Sequence, residues 1–263
     1  MNKKLNIFID GSWLFKACAR DRALSSKLEH SDRNFKMDFN KLSNALLRYA
    51  TNHDSDCTKF GDRIFSTSIF SLPDDLDNWP KEYDDVTSDD IERVKSTVNI
   101  RNQFAQLAIT VGFSEQAIFH PKLKGWMLQY LRNNRFQEKQ VDATIVALLV
   151  RSAIVNGSDY HAIITGDADI LPAIKVAYPE YSSNVFIVTT HPDQLLSDSR
   201  QTSFSLTEFD YAIEPYYLEQ HAEELLAGEN VYTCVHCNKV FARQSAIPAK
   251  ARPCCNPCHQ KRT

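Results

Sequence analysis

The sequence predicts an α/β protein: a parallel sheet flanked by helices, followed by a small cysteine-rich module. Three observations carry this. Short apolar runs at residues 5–9, 162–164 and 184–189 each stop in a polar turn, and helical periodicity alternates with them along the chain. Two Cys-x-x-Cys pairs stand close together near the end. A length of 263 residues with 43% hydrophobic content is enough to bury one good core and to carry a small appendage.

In chain order, Leu5-Asn6-Ile7-Phe8-Ile9 is the first strand, and it ends in Asp10-Gly11-Ser12. Residues 12–22 read as the first crossover helix, with Leu14, Ala17 and Cys18 facing inward. After a polar loop, Asp38 caps a second helix whose apolar face is Phe39, Leu42, Leu46 and Leu47. Residues 63–70 are rich in strand formers and predict the second strand. Between Pro73 and Glu92 nine acidic residues face one basic residue, Lys81, the composition of a solvated loop. A helix follows over 88–108, carrying Ile91, Val94, Val98, Phe104 and Leu107.

Residues 126–132 alternate as a strand does, amid Lys122, Lys124, Arg132, Arg135 and Lys139. Cations bind phosphates and aromatic faces stack bases, although Trp126 and Tyr130 are better read as buried in a core strand. Asp142 opens the strongest helical run of the chain, with Ile145, Leu148, Leu149 and Ile154. Gly157-Ser158-Asp159 turns the chain into a central strand. A short helix at 194–199 and an edge strand at 203–206 complete the reading. His161 and His191, near strand ends, are read as structural.

The chemistry lies where strands give way to helices. Ile163-Ile164-Thr165-Gly166-Asp167-Ala168-Asp169-Ile170-Leu171 is a buried strand feeding a helix, with Pro172 in the first turn, where a missing N–H costs little. Such joints are where open α/β sheets hold ligands. Asp167 and Asp169 can converge on a cation, or serve as plain turn and N-cap residues. Asp10 and Asp142 repeat the theme from distant parts of the chain. Carboxylates gathered at one sheet edge repel one another unless a cation neutralises them, which implies Mg²⁺ or Mn²⁺.

Three blocks carry a resemblance: Phe8-Ile9-Asp10-Gly11-Ser12, Glu138-Lys139-Gln140-Val141-Asp142 and Thr165-Gly166-Asp167-Ala168-Asp169. In this order they resemble the NYN domain, a branch of the PIN-like ribonucleases, over roughly residues 1–215. The resemblance implies a Rossmann-like sheet and metal-dependent, Mg²⁺ or Mn²⁺, cleavage of RNA by a nuclease, read as an endoribonuclease. It matches Asp10, Asp142, Asp167 and Asp169 to the family's acidic, metal-holding positions, and Lys139 to a basic one. Ser12 and Thr165 are expected to contact substrate or position water. The chain departs from the family at Trp13, where Asn is frequent, at Gln140, where Gly is common, and at Leu148, where a further Asp is common. Leu148 favours the alternative of a catalytically silent RNA-binding or adaptor protein.

Residues 216–230 are expected to form an acidic linker helix. Beyond them, Cys234-Val235-His236-Cys237 and Cys255-Asn256-Pro257-Cys258 are separated by 17 residues. That spacing predicts a Cys₄ zinc ribbon at 231–263 with a structural Zn²⁺ held by Cys234, Cys237, Cys255 and Cys258, Cys254 being an alternative to Cys255. The ribbon has six basic residues and no acid, a formal charge of +6, leaving −9 on the first 230 residues. A cationic ribbon beside an acidic body suits RNA as partner, or a protein partner instead. Seven cysteines, five of them crowded into the last thirty residues, suggest metal binding in a reducing, cytoplasmic setting rather than a disulfide framework. No run of about 18 apolar residues is present to span a membrane, and the apolar run before Asp10 is too short for a signal-peptide core.

Overall fold

The computed structural model describes residues 2–83, 86–128, 140–177, 184–192, 202–209 and 211–261. Six parallel strands form the main sheet: β1 (Lys3–Asp10), β2 (Cys57–Ser68), β3 (Ile118–Phe119), β4 (Tyr160–Ile164), β5 (Val185–Thr189) and β6 (Tyr216–Tyr217). Their order is β3-β2-β1-β4-β5-β6. The chain moves outward from β1 to β2 and β3, then returns to β4 on the other side of β1. The carboxyl ends of β1 and β4 therefore flank the point where the order reverses, which is the ligand crevice of open α/β sheets.

Both faces of β4 and β5 and of most of β1 are buried, so these strands are nearly continuous in apolar residues. Leu5, Ile7, Ile9, Ala162, Ile164, Phe186 and Val188 point into one core. That core also holds Leu14 and Ala17 of α1 (Gly11–Ala17), Phe39, Leu42 and Leu46 of α2 (Phe39–His53), and Ile91, Val94 and Val98 of α3 (Ser88–Thr110). Phe8, Ile163, Val185 and Ile187 point the other way, onto α4 (Gln140–Val155) and α5 (Leu171–Ala177). At the lower end of the sheet, His161 is fully buried among Asn6, Ser152 and Phe8, and burial depresses its pKa to about 4. It is a neutral core residue, as its isolation in the sequence suggested.

Several elements differ from the sequence reading. α1 stops at Ala17 rather than near residue 22: the Ala17 and Cys18 carbonyls accept the Leu24 and Phe35 N–H groups, and the chain turns through Asp21, whose φ of 58° is left-handed. β2 starts at Cys57, well before residue 63. The expected edge strand at 203–206 is a helical turn, Phe204–Thr207, anchored by buried Leu206 and by the Ser203 N–H on the Gly166 carbonyl (2.7 Å). The expected strand at 126–132 begins as a turn: Met127 and Leu128 are helical, and Trp126 is 56% exposed rather than buried. Its remainder, with Lys139 and the expected helix at 194–199, lies outside the described residues.

Residues 216–230 differ most. In place of a linker helix they supply β6, a 3₁₀ turn at Leu218–His221 and a helical turn at Ala222–Leu225, and Tyr216, Leu218, Ala222, Leu225 and Leu226 join the main core. The tail follows as a hairpin of β7 (Asn230–Thr233) and β8 (Val240–Arg243), then α6 (Asn256–Gln260). Val240 pairs with Leu28 and packs in the main core, and the Glu29 N–H donates to the Val240 carbonyl (3.0 Å). No helix among the described residues is long and apolar enough to cross a membrane.

Leu218 is wholly buried. Leu218→Ala should therefore cost the main domain about 3 kcal/mol in denaturant unfolding. A linker residue would cost well under about 1 kcal/mol, and a loss that small would contradict its place in the core.

Candidate functional site

Asp10 is both the last residue of β1 and the N-cap of α1, its Oδ1 accepting the Trp13 N–H at 2.9 Å. Across the sheet its register partner on β2 is Ser66. The fully buried Ser66 hydroxyl donates to the Val141 carbonyl (3.4 Å), which ties the first turn of α4 to the end of β2. Asp142, the next residue, is thereby held close enough for its charge to act on Asp10. Asp10 is 5% exposed, and its carboxyl is pushed up to about 7. Burial is the largest cause and Asp142 adds to it, while the Trp13 and Ser12 N–H groups and Lys16 pull the other way. The half-buried Ser12 hydroxyl meets Thr67 Oγ1 at 3.2 Å.

The third block leaves the neighbouring strand. Ile9 pairs with Ile164, so Asp10 and Thr165 emerge side by side. Thr165 is buried and its Oγ1 accepts the Asp167 N–H at 3.1 Å; Asp167 Oδ1 in turn accepts the Asp169 N–H at 3.0 Å. Asp167 is thus the N-cap of the turn, and both carboxylates are exposed beside the crevice. Gly166 is required by its neighbour: a Cβ there would stand 1.9 Å from Trp13 Nε1. Trp13, at a position where the resembled family often has Asn, locks the first block against the third.

The charge of Asp142 therefore acts on Asp10, and Asp167 and Asp169 stand on the adjoining turn. Among the described residues these acids form no group of three converging as a metal set; only the four cysteines do. Leu148 packs against the second core and offers no polar group. Two residues absent from the sequence reading belong to this edge. Ser66 is one; Arg101 is the other, donating from Nη1 to the Ser68 carbonyl at 3.1 Å. Neither carried a signal in composition or periodicity, since each acts only through tertiary contact.

The four sulfurs of Cys234, Cys237, Cys255 and Cys258 lie within 4.8 Å of one another. Tetrahedral Zn–S bonds of about 2.3 Å would set sulfurs about 3.8 Å apart, and the separation of Cys237 and Cys255 is 3.6 Å, so the donor set fits zinc. Burial acts against the Cys234 thiolate. The N–H groups of Cys255, His236 and Cys237 outweigh it and bring that thiol down to about 6, the form a metal takes. The ambiguity between neighbours resolves to Cys255; Cys254 instead turns its thiol to the Cys255 carbonyl. The first pair closes the β7–β8 hairpin and the second opens α6, whose Asn256 N–H reaches Glu29 at 3.3 Å.

These features define an α/β protein with a parallel six-stranded sheet and a four-cysteine centre able to hold a metal ion such as zinc. No family model matches the chain, and no curated protein does. Among solved structures it is similar to a protein of unknown function from Vibrio parahaemolyticus. Identity is 14%, covering 86% of this chain and 97% of that one, with a TM-score of 0.44. A likeness of that size carries no argument about activity.

Two outcomes follow from the geometry. Asp10 is raised from 3.8 to about 7, so between those values the folded state keeps a proton that the unfolded state has lost, and stability falls as pH rises through that window. Asp10→Asn keeps the cap and cannot ionise. Without added Mg²⁺ or Mn²⁺ it should melt above the native protein at pH 8, by up to a few kcal/mol, and close to it at pH 4; equal melting at both would contradict the burial. Elemental analysis should find about one zinc per chain. Because Val240 is shared with the main core, chelation should lower the melting of the whole chain rather than of the tail alone.

Proposed function

We propose that the chain is a metal-dependent ribonuclease of the NYN type, hydrolysing phosphodiester bonds in RNA. The observation that carries this is Asp10, buried at the switch point between β1 and β4 with the charge of Asp142 acting on it, and with Asp167 and Asp169 on the adjoining turn. Mutually repelling carboxylates of this kind favour a divalent cation. Mg²⁺ or Mn²⁺ held there would activate water and offset charge building on the phosphate. The chain's own groups set the stage: Ser12 and Thr165 fix the crevice walls, and Lys139 is assigned to the phosphate backbone.

RNA as the substrate is supported by exposed Lys122, Lys124 and Trp126, which follow β3 at the same edge of the sheet. On the cysteine module Lys250, Arg252 and Lys261 are exposed, whereas Lys239 is occupied by the Ser26 carbonyl. A structural zinc would hold these cations in place, and its thiolates suit a reducing, cytoplasmic setting. A second reading, a silent RNA-binding or protein-adaptor module, is favoured by the acids not closing into a group of three and by apolar Leu148.

Cleavage of a single-stranded oligoribonucleotide in Mg²⁺ or Mn²⁺ decides between them. Asp10→Asn and Asp142→Asn should each lower kcat by at least about 100-fold with the fold retained. Native protein that binds RNA but cleaves none across divalent metals would leave the second reading standing.

A further inference from the structure

One cation at the carboxyl edge of the sheet forms no ion pair among the described residues. Arg101 lies mid-way along α3, far in sequence from Asp10, Asp142, Asp167 and Asp169. Its guanidinium is held between two elements of the crevice. Nη1 donates to the Ser68 carbonyl at the end of β2, and the plane lies over the Phe15 ring of α1, 5.4 Å from its centroid. Phe15 stands one turn after Ser12, and Ser68 two residues after Ser66, the register partner of Asp10. The guanidinium thus sits beside Asp10, and Asp10 is the charge that acts on it.

No hydrogen bond or ion pair joins the two among the described residues. Arg101 has no ion pair among the described residues. Its Nε is buried with no hydrogen-bond partner. A guanidinium carries five N–H donors, and the carbonyl of Ser68 is its single hydrogen-bond acceptor in the described structure. A cation withdrawn from water in this state is costly unless an anion completes it. The planar fork of Arg matches the oxygens of a phosphate better than any other side chain does. The other cations of this edge, Lys16 on α1 and Lys122 and Lys124 beyond β3, suit a chain of phosphates rather than one isolated anion.

We infer that Arg101 is a substrate-binding residue that holds a backbone phosphate of RNA at the end of β2, beside Asp10. This rests on the ribonuclease reading for the owner of the phosphate, but not for the cation itself. On this view Arg101 fixes the strand next to the acids, while the exposed lysines guide it there.

The test uses the full, zinc-loaded chain and a short single-stranded oligoribonucleotide, without Mg²⁺ or Mn²⁺, so that binding is read apart from cleavage. Arg101→Gln should weaken binding about tenfold. It should also reduce the slope of log affinity against log salt by about 0.7, one phosphate contact on a single strand. Arg101→Lys keeps the charge and loses the fork; it should recover the salt slope and only part of the affinity, with melting close to native. If Arg101→Gln fails to fold, Arg101→Lys and the native protein still decide: the Arg101 Nε–H resonance should shift on adding the oligoribonucleotide. Unchanged affinity and slope in a folded variant, or an unmoved resonance at saturating RNA, would overturn the inference. A native protein that binds RNA through Arg101 and never cleaves it would sink the ribonuclease reading alone.

Discussion

The parallel pairing of β1 with β2 on one side and β4 on the other is the constraint on which the rest depends. It places one strand, buried over its last six residues, at the middle of the sheet. Crossovers leaving it in opposite directions must cover opposite faces, which is why two separate cores form. It also means that the loops after β1 and β4 diverge and leave a gap between them. No single block creates the crevice; the strand order does.

The crevice works by balancing burial against charge. Asp10 is withdrawn from water and set near another carboxylate, an arrangement that opposes its ionisation. Capping N–H groups limit the penalty, and the same bonds fix the carboxylate's orientation. Arg101 adds a positive group that is itself partly withdrawn from water. Such a site is poised rather than relaxed, since several groups would gain from a ligand of the right charge. Trp13 and Gly166 hold the two halves in register, so the poise is built into packing and not into a loose loop.

What the sequence made legible was local. The apolar runs of β1, β4 and β5, the Asp38 cap and the two cysteine pairs are short-range patterns, and each stands where it was expected. Asp10 and Asp142 were legible as strand-end and helix-start acids, because those positions converge in any open parallel sheet. The failures share a cause. Phe204-Ser205-Leu206 alternates like a strand but forms one helical turn, since Leu206 alone must reach the core and a single buried contact satisfies either period. Tyr216–Tyr217 is a two-residue strand, too short to leave a period. Residues 216–230 looked like an acidic linker because the main core that Leu218 and Leu225 join is built from elements far back in the chain.

The position of β1 has a consequence for how the chain is made. Leu5 pairs with Tyr160, and Val188 on β5 with Tyr216 on β6. During synthesis, β1 can meet β2 early, yet its other edge waits while about 150 further residues are added. At 5–20 residues per second that is roughly 8 to 30 seconds with an apolar, unpaired strand edge exposed at the heart of the nascent fold. Such edges are templates for mispairing between chains. Nascent copies on one message are therefore most vulnerable to joining one another before β4 emerges, and a chaperone that shields Leu5–Ile9 during that interval would raise the yield of folded protein more than one acting after release.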